Sequence, residues 1–87
     1  RRENIEQYIK RVQEMEALVQ SFSWVSKAYA ISAGREIRVI VDADTVNDME
    51  AMDLAREIAT NIKENLNYPG EVKVNLIREK RVIEYAK

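Results

Sequence analysis

The sequence predicts one small α+β domain, a two-layer sandwich in which two helices cover one face of a small sheet. Two long segments, 3–22 and 47–66, repeat apolar residues every three or four positions, as amphipathic helices do. The segment 36–41 instead alternates apolar and polar residues, which is typical of a strand with one buried face. The whole chain, 1–87, is long enough for one domain with one modest core, and we expect it to be a fragment of a larger protein.

The first helix is predicted between Glu3 and Phe22. Its apolar stripe consists of Ile5, Tyr8, Ile9, Val12, Met15, Leu18, Val19 and Phe22. Glu6 and Lys10 lie on the other side of the helix at i,i+4, in the order that favours their attraction. Trp24, at the junction with the first strand, is interpreted as a lid over the core.

Two strands, 25–33 and 36–41, are predicted to form a hairpin around Gly34-Arg35, because glycine in the first loop position favours a type II′ turn. This register pairs Ala33 with Glu36. Beneath the helices it places Ala28, Ala30, Ser32, Ile37, Val39 and Val41. On the opposite face it places Tyr29, Ile31 and Ile40. A three-residue turn would instead move Tyr29 and Ile31 into the core.

The second helix is predicted to begin with a capping box, since Asn47 is followed three residues later by Glu50. Its expected buried positions are Ala51, Ala55, Ile58, Ala59, Ile62 and Leu66. The helix is expected to end near Leu66, and Tyr68-Pro69-Gly70 favours a type II turn after it.

A third strand is predicted from Val72 to Ile77, and a short fourth strand or docked tail from Val82 to Ala86. The third strand could pair antiparallel beside the first strand or parallel beside the second. The unit from Ile37 to Ile77 resembles half of a ferredoxin-like split β-α-β motif, for which a right-handed crossover is expected.

The composition leaves few catalytic side chains. The chain has no histidine and no cysteine, which removes the commonest general base and the commonest zinc ligands. The acids near Asp42 do not fit an EF-hand, because position six of that loop would be Asn47 and position twelve Asp53. Helix capping explains these acids instead. We therefore predict no catalytic residue, no cofactor and no metal site in this chain, and no contact with a membrane.

Two surfaces are candidate interaction sites. An apolar patch on the open face of the sheet is predicted to support a homodimer, unless the tail or a neighbouring domain covers it; it consists of Tyr29, Ile31, Ile40 and Ile77. A set of basic residues is a candidate for weak contact with RNA, although only Tyr29 is placed for stacking on a base, and solvated charge is the simpler interpretation. This set consists of Arg35, Arg38, Lys73 and Arg78.

Four stretches of the sequence form a recognisable set of motifs. They are Arg1-Arg2-Glu3 with Tyr8-Ile9-Lys10-Arg11, Lys27 to Ile31 followed by Ala33 to Val39, Tyr68-Pro69-Gly70, and Ile77-Arg78-Glu79 leading to Glu84-Tyr85-Ala86-Lys87. Together they resemble the C-terminal region of the ribonuclease Y family. The last four residues look like the natural end of that family. Ser23-Trp24 departs from its pattern, so the resemblance assigns Trp24 no role.

The resemblance implies that the parent is a bacterial endoribonuclease that initiates mRNA decay. In that family an N-terminal helix anchors the protein to the inner face of the cell membrane, a coiled coil and a KH domain follow, and an HD domain with divalent metal is the catalyst. The resemblance then implies that this chain is a cytoplasmic, non-catalytic accessory or dimerisation domain. Its implied partners are the other domains of the parent and RNA-decay proteins. No catalytic residue is carried over, because the family's metal ligands include histidines.

Two alternatives stay open from the sequence. The element order also resembles the cytoplasmic metallochaperone-like dimerisation domain of cation-efflux transporters, although the lack of histidine and cysteine opposes metal delivery. The third possibility is an auxiliary RNA-binding module.

Overall fold

The computed structural model describes residues 2–67 and 70–87. The elements are α1 (Arg2–Gln20), β1 (Val25–Ile31), β2 (Glu36–Asp42), α2 (Asp48–Asn65) and β3 (Lys73–Glu79). The predicted α-β-β-α-β order is therefore confirmed. The turn predicted at Tyr68-Pro69 lies outside the described residues, while Gly70, which follows it, has a φ of +85°.

The three strands form one mixed sheet with β2 in the centre. β1 pairs with β2 antiparallel, and β3 pairs with β2 parallel. Of the two positions that the sequence left open for the third strand, the structure shows the parallel one beside the second strand. The helix α2 is thus the crossover of a β-α-β unit.

The core lies between the sheet and both helices. Ile37, Val39 and Val41, at alternate positions of β2, are completely buried. The same cluster contains Met15 and Val19 of α1, Val25 of β1, Val46, and Ala51, Leu54, Ile58 and Ile62 of α2. Because successive side chains of a strand point to opposite faces, both helices cover the same face of the sheet, as predicted.

The helices follow the predicted stripes with two differences. Ile5, Tyr8 and Ile9 are exposed although they continue the apolar stripe of α1. A 19-residue helix is about 28 Å long and a seven-residue strand about 23 Å, so the start of α1 overhangs the sheet. In α2, Leu54 is buried where the prediction missed it, and Ala59 is exposed where burial was predicted.

The hairpin turn is longer than predicted. Four residues, 32–35, separate the strands, and Ile31 pairs with Glu36. The predicted pairing of Ala33 with Glu36 is wrong, because three consecutive turn residues, Ser32, Ala33 and Gly34, have φ values of 53°, 55° and 80°. The observed register differs from the predicted one by two residues, so the side chains from Ala28 to Ile31 stay on their predicted faces. A register shift between Val25 and Lys27 moves Val25 into the core.

The predicted fourth strand is absent from the described residues. Segment 80–87 has no regular secondary structure, and all of its residues are exposed. Trp24 is also exposed, at the rim of a concavity that Phe22 and Leu54 line, so it covers the end of the core only in part.

Candidate interaction surface

The face of the sheet that points away from the helices is the largest candidate site. Its side chains alternate with the buried residues of each strand. In rows across β1, β2 and β3, they are Ile31, Glu36 and Lys73, then Tyr29, Arg38 and Asn75, then Lys27, Ile40 and Ile77. We call these nine residues the open face.

The four apolar residues predicted for self-association all lie on the open face. Ile40 is half-buried and pairs in register with Ile77, which is 37% exposed. Tyr29 is 45% exposed and lies diagonally across from Ile40, while Ile31 is at the far end of β1. The structure therefore groups Tyr29, Ile40 and Ile77, with Ile31 farther along the same face, and the role of these residues in self-association stays a prediction.

The open face also carries charges of both signs. Arg38 Nη2 lies 3.8 Å from Glu36 Oε2, and the Asn75 side-chain amide donates to the same carboxylate oxygen at 3.3 Å. Lys27, which the sequence reasoning missed, is opposite Ile40. The sequence indicated that Lys27 belongs to the open face, because Lys27 is two residues before Tyr29 on the same strand and residues two apart share a face.

The four basic residues predicted for RNA contact do not form one patch. Arg38 and Lys73 lie on the open face, but Arg35 is in the hairpin turn beside Tyr8 and Val12 of α1. Contact of these three residues with RNA stays a prediction.

Arg78 is on the helix side of the sheet, in register with Val41, and its guanidinium is used within the fold. Nε donates to the carbonyl oxygen of Val46 at 2.6 Å, Nη1 to Asp48 Oδ1 at 2.6 Å, and Nη2 to the carbonyl oxygen of Ala43 at 2.9 Å. Arg78 thus fastens β3 to the connection between β2 and α2. Its side chain is separated from the open face by the sheet.

The acids near Asp42 make local structural contacts. Asp42 Oδ1 accepts from the amide of Asp44 at 2.9 Å, and the capping box is formed, with Asn47 Oδ1 accepting from the amide of Glu50 at 2.8 Å. Asp44 Oδ1 accepts from Lys80 Nζ at 2.7 Å, and this hydrogen bond raises the pKa of Lys80. Within 2–67 and 70–87, no three acidic, histidine or cysteine side chains are grouped so that they could hold a metal ion.

The concavities of the surface have little catalytic potential. One of about 480 Å³ lies between the end of α2 and the start of β3, and Ala59, Ile62, Lys63, Leu66 and Val72 are among the residues that line it. Among the described residues that line it, Lys63 and Glu71 are the ionisable ones, and no nucleophilic side chain accompanies them. No helix in the described part of the chain is long and apolar enough to cross a membrane.

Comparison with known proteins identifies relatives along the whole chain. It is 60% identical to ribonuclease Y of Nitratiruptor sp., 56% identical to ribonuclease Y of Campylobacter jejuni and 51% identical to ribonuclease Y of Clostridium perfringens. Each comparison covers all 87 residues, which are 17% of the length of each relative. No family model and no solved structure matches the chain.

These identities decide between the two family resemblances in favour of the nuclease over the cation-efflux transporter. They also show how small a part of the relatives the chain represents, so the properties of the whole enzyme do not transfer to it. The chain belongs to the ribonuclease Y family and corresponds to a segment about one sixth as long as its relatives.

Proposed function

We propose that the chain is the C-terminal accessory domain of a ribonuclease Y, and that it associates with a second copy of itself through the open face. The parent is then an endoribonuclease of mRNA decay, anchored to the membrane and dependent on divalent metal in its HD domain. The domain holds two copies of the parent together and carries no group that takes part in RNA cleavage.

The observation that carries this proposal is the pairing of Ile40 with Ile77 on a face that no described element covers. Apolar side chains beside one another on an uncovered sheet are unfavourable in water and stabilise an interface when a second surface excludes the water. A second copy is the partner that fits. Charges of both signs surround the apolar residues, so the open face can offer an opposite charge to each charge of its copy.

The side chains of the domain also support an accessory role. The nuclease chemistry implied by the family needs metal ligands, and a chain without histidine or cysteine has only carboxylates to offer. Of those carboxylates, Asp42 and Glu50 bind backbone amides, while Asp44 and Asp48 bind basic side chains. The side chains of these four acids therefore stabilise the β2–α2 connection.

Sedimentation equilibrium of the 87-residue chain tests the proposal directly. We expect a dimer whose population rises with protein concentration. Replacing Ile40 by Glu should give a folded monomer, because a buried carboxylate without a partner is costly in an interface. The matched control is Met49→Glu, since Met49 is 76% exposed on α2 and away from the open face. A wild-type chain that sediments as a monomer at millimolar concentration would contradict the proposal.

A second candidate function, RNA binding, is favoured by Lys27 and Arg38, which neighbour Tyr29 on the open face, and by Lys73, which lies on the same face in β3. Cations that contact phosphates and an aromatic ring that stacks on a base are the usual elements of single-strand binding. Titration with single-stranded RNA at two salt concentrations tests it, with Tyr29→Ala as the diagnostic variant. Affinity that falls steeply with salt and decreases in this variant would favour RNA binding.

A further inference from the structure

The two outer edges of the sheet differ in how their backbone groups are satisfied. On the β1 edge, Glu16 Oε2 accepts from the amide of Ala30 at 2.8 Å, and Gln20 Nε2 donates to the carbonyl oxygen of Ser26 at 3.0 Å. Both side chains belong to α1, which therefore occupies hydrogen-bonding positions that another strand would need. The β1 edge is closed to strand addition.

The β3 edge is open. The amide of Lys73 donates to the carbonyl oxygen of Arg35 at 2.8 Å, and the amide of Ala43 donates to the carbonyl oxygen of Glu79 at 2.9 Å. In a parallel pair this pattern uses the odd-numbered residues of β3 toward β2. The backbone groups of Val74 and Leu76 then point outward, and among the described residues no strand pairs with them.

The side of α2 above the β3 edge is mostly apolar. Glu50, Asp53 and Glu57 are on the opposite side of the helix, because they line a concavity with Phe22 and Trp24. At 100° per residue, the side toward the β3 edge consists of four apolar residues, Met52, Ala55, Ala59 and Leu66, together with Lys63. Two of them, Ala59 and Leu66, line the 480 Å³ concavity together with Val72. A strand added beside β3 would find an apolar cover above it.

The C-terminal segment has the composition of such a strand. We call residues 82–86 the arm. Val82 is 78% exposed and Tyr85 is 80% exposed, and Ile83 between them is exposed as well. In an extended chain Ile83 and Tyr85 share one face, so the arm can place two large apolar side chains beneath α2.

The arm starts in a direction that leads away from the β3 edge of its own chain. Lys80 is bound to Asp44 at 2.7 Å, and Arg81 lines a concavity with Ser26 and Lys27 at the start of β1. Since the strand order is β1-β2-β3, the chain leaves β3 toward the opposite side of the sheet. Pairing with its own β3 would require the chain to reverse at residues that these contacts hold.

The open face alone is also small for a stable dimer. In projection, three strands of seven residues cover about 330 Å² when strands are about 4.8 Å apart and rise about 3.3 Å per residue. A standard interface buries about 800 Å² on each partner. A self-associating domain of this size therefore needs a further contact surface.

We propose that the arm of one copy pairs as a fourth strand with the β3 edge of a second copy, and that the exchange is reciprocal. Ile83 and Tyr85 then pack beneath Ala55 and Ala59 of the partner. The inference rests on the proposed self-association, and the arm supplies the contact area that the open face lacks. Each exchanged arm covers the open β3 edge of the other copy. Because the dimer is twofold symmetric, both edges are covered in the same way.

Disulfide formation between two single-cysteine variants tests the exchange, because the natural chain has no cysteine. Ala59→Cys and Tyr85→Cys are mixed and oxidised. We expect a covalent heterodimer in at least tenfold higher yield than with Thr60→Cys and Tyr85→Cys, since Thr60 is exposed on the solvent side of α2. A yield no higher than this control overturns the inference. So does a double variant, Ala59→Cys with Tyr85→Cys, that closes within one chain.

Removal of residues 82–87 separates the arm from the open face. We expect the truncated chain to stay folded and its dimer to dissociate at least tenfold more readily. If truncation leaves the dimer unchanged while Ile40→Glu is monomeric, the proposed function stands and the arm inference fails. If the disulfide forms while Ile40→Glu remains dimeric, the arm stands and the open face is not the interface. A wild-type chain that is always monomeric overturns both.

Discussion

The two connections of β2 are stabilised in different ways. The turn before it, residues 32–35, depends on backbone conformation: three residues have positive φ, and the amides of Gly34 and Arg35 each donate to a carbonyl oxygen three residues earlier at 3.1 Å. The connection after it, residues 43–47, also has local backbone hydrogen bonds, from the amides of Thr45 and Val46 to the carbonyl oxygen of Asp42, and adds side chains from Asp42, α2 and β3. A small domain can therefore close one loop with local conformation alone and stabilise another with additional long-range polar contacts.

The largest difference between the two connections should appear when Arg78 is replaced by Ala. The carbonyl oxygens of Ala43 and Val46 lose a charged donor, and Asp48 loses its cation. Hydrogen bonds to charged groups contribute about 1.5–3 kcal/mol each at most, and these share one side chain, so we expect a loss of about 2–3 kcal/mol in the free energy of unfolding. Urea denaturation measures it.

The matched control for Arg78 is Lys10→Ala on α1, away from the open face. Lys10 is exposed and lies 4.0 Å from Glu14, so its removal should change the free energy of unfolding by at most about 0.5 kcal/mol. Equal losses in the two variants would mean that Arg78 does not fasten the β2–α2 connection.

The difference between the connections also explains which parts of the structure could be predicted. The capping box of Asn47 and Glu50 was predicted from residues three apart, because its hydrogen bonds are local. The arrangement around Arg78 was missed, because its partners are more than 29 positions away in the chain. The predicted third strand ended at Ile77, one residue before Arg78, and residue periodicity gave no sign of the contact with Val46.

The hairpin turn was mispredicted for a related reason. Gly34 indicates a positive φ but not which loop position it occupies, and Ser32 and Ala33 give no sign that they also adopt positive φ. The faces of Ala28 to Ile31 in β1 were nevertheless predicted, since the error in register was an even number of residues. The apolar residues of the open face could therefore be predicted without knowledge of the turn.

Replacement of Gly34 by Val tests the turn itself. We expect a loss of about 1–2 kcal/mol, because a β-branched residue is strained at a φ of +80°. Steric overlap is a minor cause, since a Cβ at this position would lie 3.6 Å from Val12 Cγ2, an ordinary contact. Thermal denaturation measures the loss. Gly34→Asn is the matched variant and should be less destabilised, because Asn tolerates positive φ; equal losses in both variants would argue against backbone strain.

A smaller effect of opposite sign is expected when Ala33 is replaced by Gly. Ala33 has a φ of 55° and is exposed, so glycine relieves strain without removing a contact in the core. We expect a gain of about 0.5–1 kcal/mol, reduced from the full relief by the greater freedom of glycine in the unfolded chain. The control is Ala17→Gly in the exposed side of α1, which should lose about 1 kcal/mol. Losses in both variants would show that the turn stores no strain at Ala33.

The smallest effect concerns the pH dependence of the β2–α2 connection. The hydrogen bond from Lys80 to Asp44 raises the pKa of Lys80 above its ordinary value of 10.5, so the folded chain holds this proton more tightly than the unfolded chain does. The resulting stabilisation is complete below pH 10.5 and is lost as the pH rises through the higher pKa of the folded state. Asp44→Asn removes it.

The melting temperatures of wild type and Asp44→Asn should therefore differ slightly at pH 8–9 and converge at strongly alkaline pH. Because the two proteins differ only at residue 44, the difference between the two curves isolates the ion pair. Asp53→Asn, an exposed acid of α2, is the control and should show no such convergence. If the difference between wild type and Asp44→Asn persists unchanged above the pH at which Lys80 loses its proton, the ion pair does not cause it. Asp44 would then act only through the backbone of the loop, and Arg78 would be the only one of the two basic side chains, Arg78 and Lys80, that stabilises the connection.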